Sequence, residues 1–107
     1  SNHGGRQLDS SPAPIHCVQE VREAIGDNAE IIVDGGIRRG TDVLKALALG
    51  ADAVSFARPY LYGLAAFGIK GAVQSVAQIR DAVERDMILA GVAALNQLDG
   101  SFIRYRK

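Results

Sequence analysis

The 107-residue sequence has a single cysteine, Cys17, and no tryptophan. One thiol cannot pair within its own chain, so a disulfide framework is excluded and a reducing compartment is expected. Neither charge prevails: 12 Lys and Arg face 12 Asp and Glu, for a formal net charge of +0. The basic footprint of a nucleic-acid partner or of attachment to an anionic membrane is therefore missing. No apolar run reaches the roughly 18 residues of a membrane span. The first residues show no signal-peptide pattern, so a cytoplasmic location, or one peripheral to the inner face of a membrane, is expected. No set of His, Cys, Asp and Glu has metal-ligand spacing. What is present, 48% hydrophobic and 22% charged residues, is the composition of a packed domain and excludes a disordered tail.

Residues 1–11, SNHGGRQLDSS, are polar, carry two glycines and show no periodicity, which reads as a loop. Ser11 and Pro12 offer an N-cap and a first helical residue. Ile15, Val18 and Ile25 continue at helical spacing, predicting a helix over 12–25 that ends at Gly26. The run from Ala29 to Val33 is β-branched and does not alternate, as in a parallel strand covered on both faces. Thr41 or Asp42 can cap a second helix, with Val43, Leu44, Leu47 and Ala48 as its apolar stripe and Gly50 at its end. Residues 53–57 form the next strand, stopped by Arg58-Pro59. One or two helical turns are expected over 60–68. A third main helix follows over about 70–90, with Val73, Val76, Ile79, Val83 and Met87 inward, interrupted by Gly91.

Strands alternating with helices at this spacing indicate βα units and a parallel sheet. Two strands do not make a stable sheet alone. The chain, which begins with Ser1 rather than Met, is therefore expected to be one end of a larger α/β domain.

In such domains chemistry sits on the loops after the strand C-termini. Gly35 and Gly36 would let a ligand approach the backbone, and the following helix N-terminus suits an anion. Arg38, Arg39 and Arg58 can add charge-assisted bonds to phosphate oxygens. The same DGG segment also reads as a plain tight turn with solvated arginines. In the first loop, His3 is a candidate general base, and Arg6 can clamp a carboxylate through two parallel N–H bonds. That pair fits an acid whose reacting carbon adjoins the carboxylate, but also fits an ordinary polar surface loop. His16 and Cys17 have no such neighbours and read as surface and packing residues.

At these loops the sequence resembles the FMN-dependent 2-hydroxy acid oxidases and dehydrogenases, which include glycolate oxidase, lactate oxidase, L-lactate dehydrogenase and mandelate dehydrogenase. SNHGGRQLD at 1–9 is the most specific segment. DGGIRRGTDVLKALALGA at 34–51 is strong, though other FMN barrels carry similar stretches, and ARPYLYGLAAFG at 57–68 also matches. The resemblance implies that 1–107 is the C-terminal portion of one FMN-binding (β/α)8 TIM-barrel domain, holding two parallel strands and three main helices. It implies His3 as the catalytic base and Arg6 as the binder of the substrate carboxylate. Asp34, Gly35, Gly36 and Arg38 would wrap the FMN ribityl phosphate, with Ala57 and Arg58 as the second phosphate loop. Ala57 stands where the family usually has Gly, and Gly91-Val92-Ala93 stands where it often has Gly-Cys-Arg. The implied reaction oxidises an L-2-hydroxy acid to the 2-oxo acid, the proton leaving from the hydroxyl or from C2. Oxygen, a quinone or a cytochrome would accept the electrons, and the implied assembly is a homo-oligomer, a tetramer. The remaining active-site groups belong to earlier strands, so the 107 residues alone are expected to be inactive. Two other readings stand beside this one: a non-catalytic phosphate-binding half barrel, and another FMN barrel enzyme such as an isomerase, against which the His3–Arg6 pair argues.

Overall fold

A 3-10 turn over Pro14–His16 leads into helix α1 (Val18–Ile25), then strand β1 (Ile32–Asp34), helix α2 (Gly40–Ala48), strand β2 (Ala53–Ser55) and the long helix α3 (Arg58–Ala90). These assignments come from a computed structural model, which describes residues 1–105. The two strands pair in parallel, with Ile32 opposite Ala53, Val33 opposite Val54 and Asp34 opposite Ser55.

The first helix starts later than 12. Ala13 is extended, with φ −63° and ψ 140°, because the ring of Pro14 disfavours helical backbone in the residue before it. Ser11 caps no helix; its Oγ lies 3.3 Å from the Asn2 amide nitrogen, which donates to it. The first strand also starts later, at Ile32 rather than Ala29. The Ile31 N–H donates to the Asp52 carboxylate at 2.7 Å, so a side chain takes the place of a ladder partner.

Within this chain only one strand face is covered. Alternation turns Val33 toward the helices, where it is 3% exposed, while Ile32 is 62% exposed. By the same alternation Ile32 and Asp34 share the open face with their register partners Ala53 and Ser55. On the covered face, Val18, Val33, Ala46 and Ala51 form one cluster. Ile37, Val43 and Ile79 form a second, and half-buried Val54 packs against both.

Helix α2 is capped otherwise than by Thr41 or Asp42 as N-cap. Arg39 is the N-cap residue, and the Asp42 carboxylate, one turn in, accepts the N–H groups of Arg38 and Arg39, each at 3.0 Å. At the other end Gly50 takes φ 104°, which lets the Ala51 N–H return to the Ala46 carbonyl at 3.0 Å. Gly40, the first residue of α2, lies against α3: a β-carbon there would stand 2.5 Å from the Ala82 carbonyl carbon and 2.6 Å from Asp86 Oδ2.

The expected short helical piece and third helix are the two arms of α3, one before and one after a kink at residues 67–68. Phe67 (φ −137°, ψ 18°) and Gly68 (φ 62°) break the helical backbone inside α3. The two arms then touch where Gly63 and Gly71 meet, a contact with no room for side chains. Ile79 is buried and Val83 and Met87 are half-buried, as expected, but Val73 and Val76 are 64% and 48% exposed. At their level α3 packs arm against arm through glycines.

At the end of the strands away from the site, Arg22 of α1 joins the segments that lead into the two strands. It donates to the carbonyls of Gly50 (2.8 Å), Gly26 (2.7 Å) and Ala29 (3.3 Å) and pairs with Asp52. The Ile31 N–H, followed by Arg22, holds the Asp52 carboxyl below its ordinary 3.8. A carboxylate so held stabilises the fold fully above pH 3.8, and its contribution is lost as pH falls through the lower folded value. In the protein that carries this chain, the stability gap between wild type and Asp52→Asn should be constant above that pH and shrink below it. Unfolding midpoints measured across the acid range check this; a gap independent of pH would show that Asp52 is not so held.

Candidate active site

The two strand ends and the first loop surround a cavity of about 320 Å³. His3 and Gly4 line it from the first loop, Asp34, Gly35, Gly36 and Arg38 from the end of β1, and Ala57 and Arg58 from the end of β2. Ile37 and Phe56 form an apolar part of the wall.

The glycines are required by backbone geometry. Gly35 and Gly36 have φ 103° and 81°, a region that β-carbons disfavour. Nothing lies within 4 Å of the point where a Gly36 β-carbon would stand, so the backbone there opens onto free space. Ala57 has φ −118°, which any residue adopts, so the methyl group is accommodated without backbone strain.

Asp34 ends β1 on the open face, and Ser55 is its cross-strand partner. The neighbouring Ser1 and Ser55 hydroxyls hold its carboxyl below the usual 3.8, against a smaller opposing effect of burial. A carboxylate in this state is an acceptor for hydroxyl groups of a ligand.

The two helix N-termini differ. That of α2 carries Asp42 in its first turn, and this carboxylate accepts the N–H groups of Arg38 and Arg39, which lie just before the helix. That of α3 has no side-chain cap and no acidic residue in its first turn, and Ala57, Arg58 and Pro59 bring it to the cavity wall. The end of α3, with no acidic residue in its first turn and the Arg58 guanidinium beside it, is the more anion-receptive of the two.

His3 is exposed, at φ 52°, beside the cavity. Arg6 is not brought to the cavity wall. It stands exposed at φ 47° within a turn in which the Leu8 N–H bonds the Gly5 carbonyl at 2.8 Å. A β-carbon on Gly5 would meet the Leu8 carbonyl oxygen at 2.6 Å, so this turn needs glycine. Sequence reasoning passed over Asn2, Ser1 and Ser55. The signal available for Ser55 was its place at the end of an alternating strand, level with Asp34. Among the described residues no group of three or more His, Cys, Asp or Glu is placed to hold a metal ion. No helix is long and apolar enough to cross a membrane, over the same residues.

A parallel α/β unit with a glycine turn at one strand end and an uncapped, arginine-bearing helix at the next is an arrangement that suits an anionic ligand at the strand ends. The chain belongs to the FMN-dependent dehydrogenase family, whose model matches residues 1–105. It is 45% identical over 104 residues to a peroxisomal (S)-2-hydroxyacid oxidase of Arabidopsis thaliana, a match covering 97% of this chain and 29% of the relative. It is also 45% identical over 103 residues to an L-lactate oxidase of Nostoc sp., covering 96% and 28%. Among solved structures, an active mutant of (S)-mandelate dehydrogenase in its oxidised form superposes with a TM-score of 0.90 at 35% identity, over 99% of this chain and 30% of that one. The chain therefore spans less than a third of the length of these relatives.

Proposed function

We propose that this chain is the C-terminal part of an FMN-binding (β/α)8 barrel domain, in a parent enzyme that oxidises an L-2-hydroxy acid to the 2-oxo acid. The observation that carries this reading is the convergence of His3, the Asp34–Gly36 turn and the uncapped N-terminus of α3 on one cavity. The open strand face bearing Ile32, Asp34, Ala53 and Ser55 suits a barrel interior, which further strands would close.

The residues present fit FMN. Gly36 leaves a backbone cradle that a β-carbon would fill, Arg58 and the end of α3 suit a phosphate, and Asp34 suits ribityl hydroxyls. Arg38 lines the same wall and adds positive charge. When bound, the flavin supplies the two-electron redox chemistry. His3 accepts a proton from the hydroxy acid, and Arg6 holds its carboxylate. The acceptor is oxygen, a quinone or a cytochrome, and the assembly a homo-oligomer; relatives that include a cytochrome-linked L-lactate dehydrogenase and an L-lactate oxidase support a cytochrome and oxygen.

Arg58→Ala in the parent protein should weaken FMN binding by roughly 10- to 100-fold, the usual worth of a hydrogen bond to a charged group. Equilibrium titration of apoprotein with FMN, followed by flavin fluorescence, reads this directly. Unchanged affinity would remove Arg58 from the phosphate site.

A further inference from the structure

The loop that carries His3 has a shape its own residues do not favour. His3, Gly4, Gly5 and Arg6 lie one after another at φ 52°, 79°, 83° and 47°. Two of these four bear β-carbons, which left-handed backbone disfavours. An exposed loop of this kind keeps one conformation only if something outside it fixes its course.

Asn2 does so. Its Oδ1 accepts the Gly4 N–H at 3.0 Å, and its main-chain carbonyl accepts the Gly5 N–H at 2.9 Å. Its Nδ2 donates to the Pro12 carbonyl at 2.6 Å and to Ser11 Oγ at 3.3 Å. One half-buried side chain thus ties the left-handed run to the segment leading into the Pro14–His16 turn. The task needs an acceptor and a donor on one short side chain, which is the amide's inventory. Aspartate has only acceptors and would set its charge against the Pro12 carbonyl; alanine has neither.

We propose that Asn2 is a positioning residue that holds His3 at the cavity and acts on the reaction through His3. This rests on the reading of His3 as the base. The test is a double-mutant cycle in the FMN-loaded parent enzyme, reading the rate of flavin reduction by the hydroxy acid in stopped flow. Asn2→Ala should slow reduction by about 10- to 100-fold, as misplacing a reacting group does, with FMN bound and the unfolding midpoint little changed. In the His3→Gln background the same substitution should change the rate less than about threefold, because the group it positions is gone. An equal loss in both backgrounds, or no loss with His3 present, overturns the proposal. Should Asn2→Ala give no FMN-loaded enzyme, Asn2→Asp, which keeps the Gly4 contact, is run through the same cycle and judged by the same outcomes. A His3→Gln enzyme as fast as wild type overturns the catalytic reading itself, which is a separate result from additivity.

Discussion

Replacing His3 with Gln in the parent enzyme should slow flavin reduction by about 10²–10⁴-fold while FMN stays bound, the range a positioned general base contributes. His3 borders the cavity but belongs to a different segment from the proposed phosphate-binding elements, which are the turn after β1 and the start of α3. Glutamine keeps a polar side chain of similar reach and can still donate a hydrogen bond. It cannot take up a proton at neutral pH. The loss should therefore appear in the reductive step and not in FMN affinity. Stopped-flow reduction and FMN titration on the same preparation separate the two. An unchanged reduction rate would make His3 a loop residue; a lost flavin would make it part of the cofactor site.

The second large effect concerns the fold. Gly71→Val should destabilise the parent protein by on the order of 3 kcal/mol or prevent its accumulation, as overpacking at a site that cannot relax does. The atoms a Gly71 side chain would meet are the Gly63 backbone and the Phe67 β-carbon, so the obstruction is mainly main chain and cannot rotate aside. Gly71 is also buried, which leaves the valine no route to solvent. Gly68 supplies the comparison. Nothing lies within 4 Å of its β-carbon position, but φ is 62°, so Gly68→Ala is opposed by backbone preference alone. Thermal unfolding of the two variants should rank Gly71→Val well below Gly68→Ala. The reverse order would mean that the arms of α3 are free to separate.

The elements were legible in the sequence where one physical rule governed them. The β-branched run ending at Val33 and the stripe Val43, Leu44, Leu47 and Ala48 have only one good use each, and both segments appear close to where they were expected. Boundaries were lost where a side chain replaced a backbone partner. Asp52 takes the Ile31 N–H and shortens β1, and Asp42 takes those of Arg38 and Arg39 and moves the start of α2. Neither substitution of partner leaves a periodic trace. The break in α3 was legible as the gap between a short helical piece over 60–68 and a helix over about 70–90, but nothing local to Gly63 or Gly71 said that they would meet. In the site, the glycines and arginines were legible because left-handed turns and anion binding restrict residue choice. Asn2 was not, because its value lies in reaching Pro12, ten residues on.

The contact at Gly40 bears on how the parent protein would tolerate redesign. The start of α2 rests on Ala82 and Asp86 in the outer layer, and three residues before it Ile37 lines the cavity. The position of the turn after β1 is thus set partly from behind, by the far arm of α3, whose residues 82 and 86 do not line the cavity. Libraries aimed at new hydroxy acids would do best to vary the mouth while leaving residues 40, 82 and 86 untouched. A change there would move the turn bodily, shifting the register between cofactor and substrate in every variant at once.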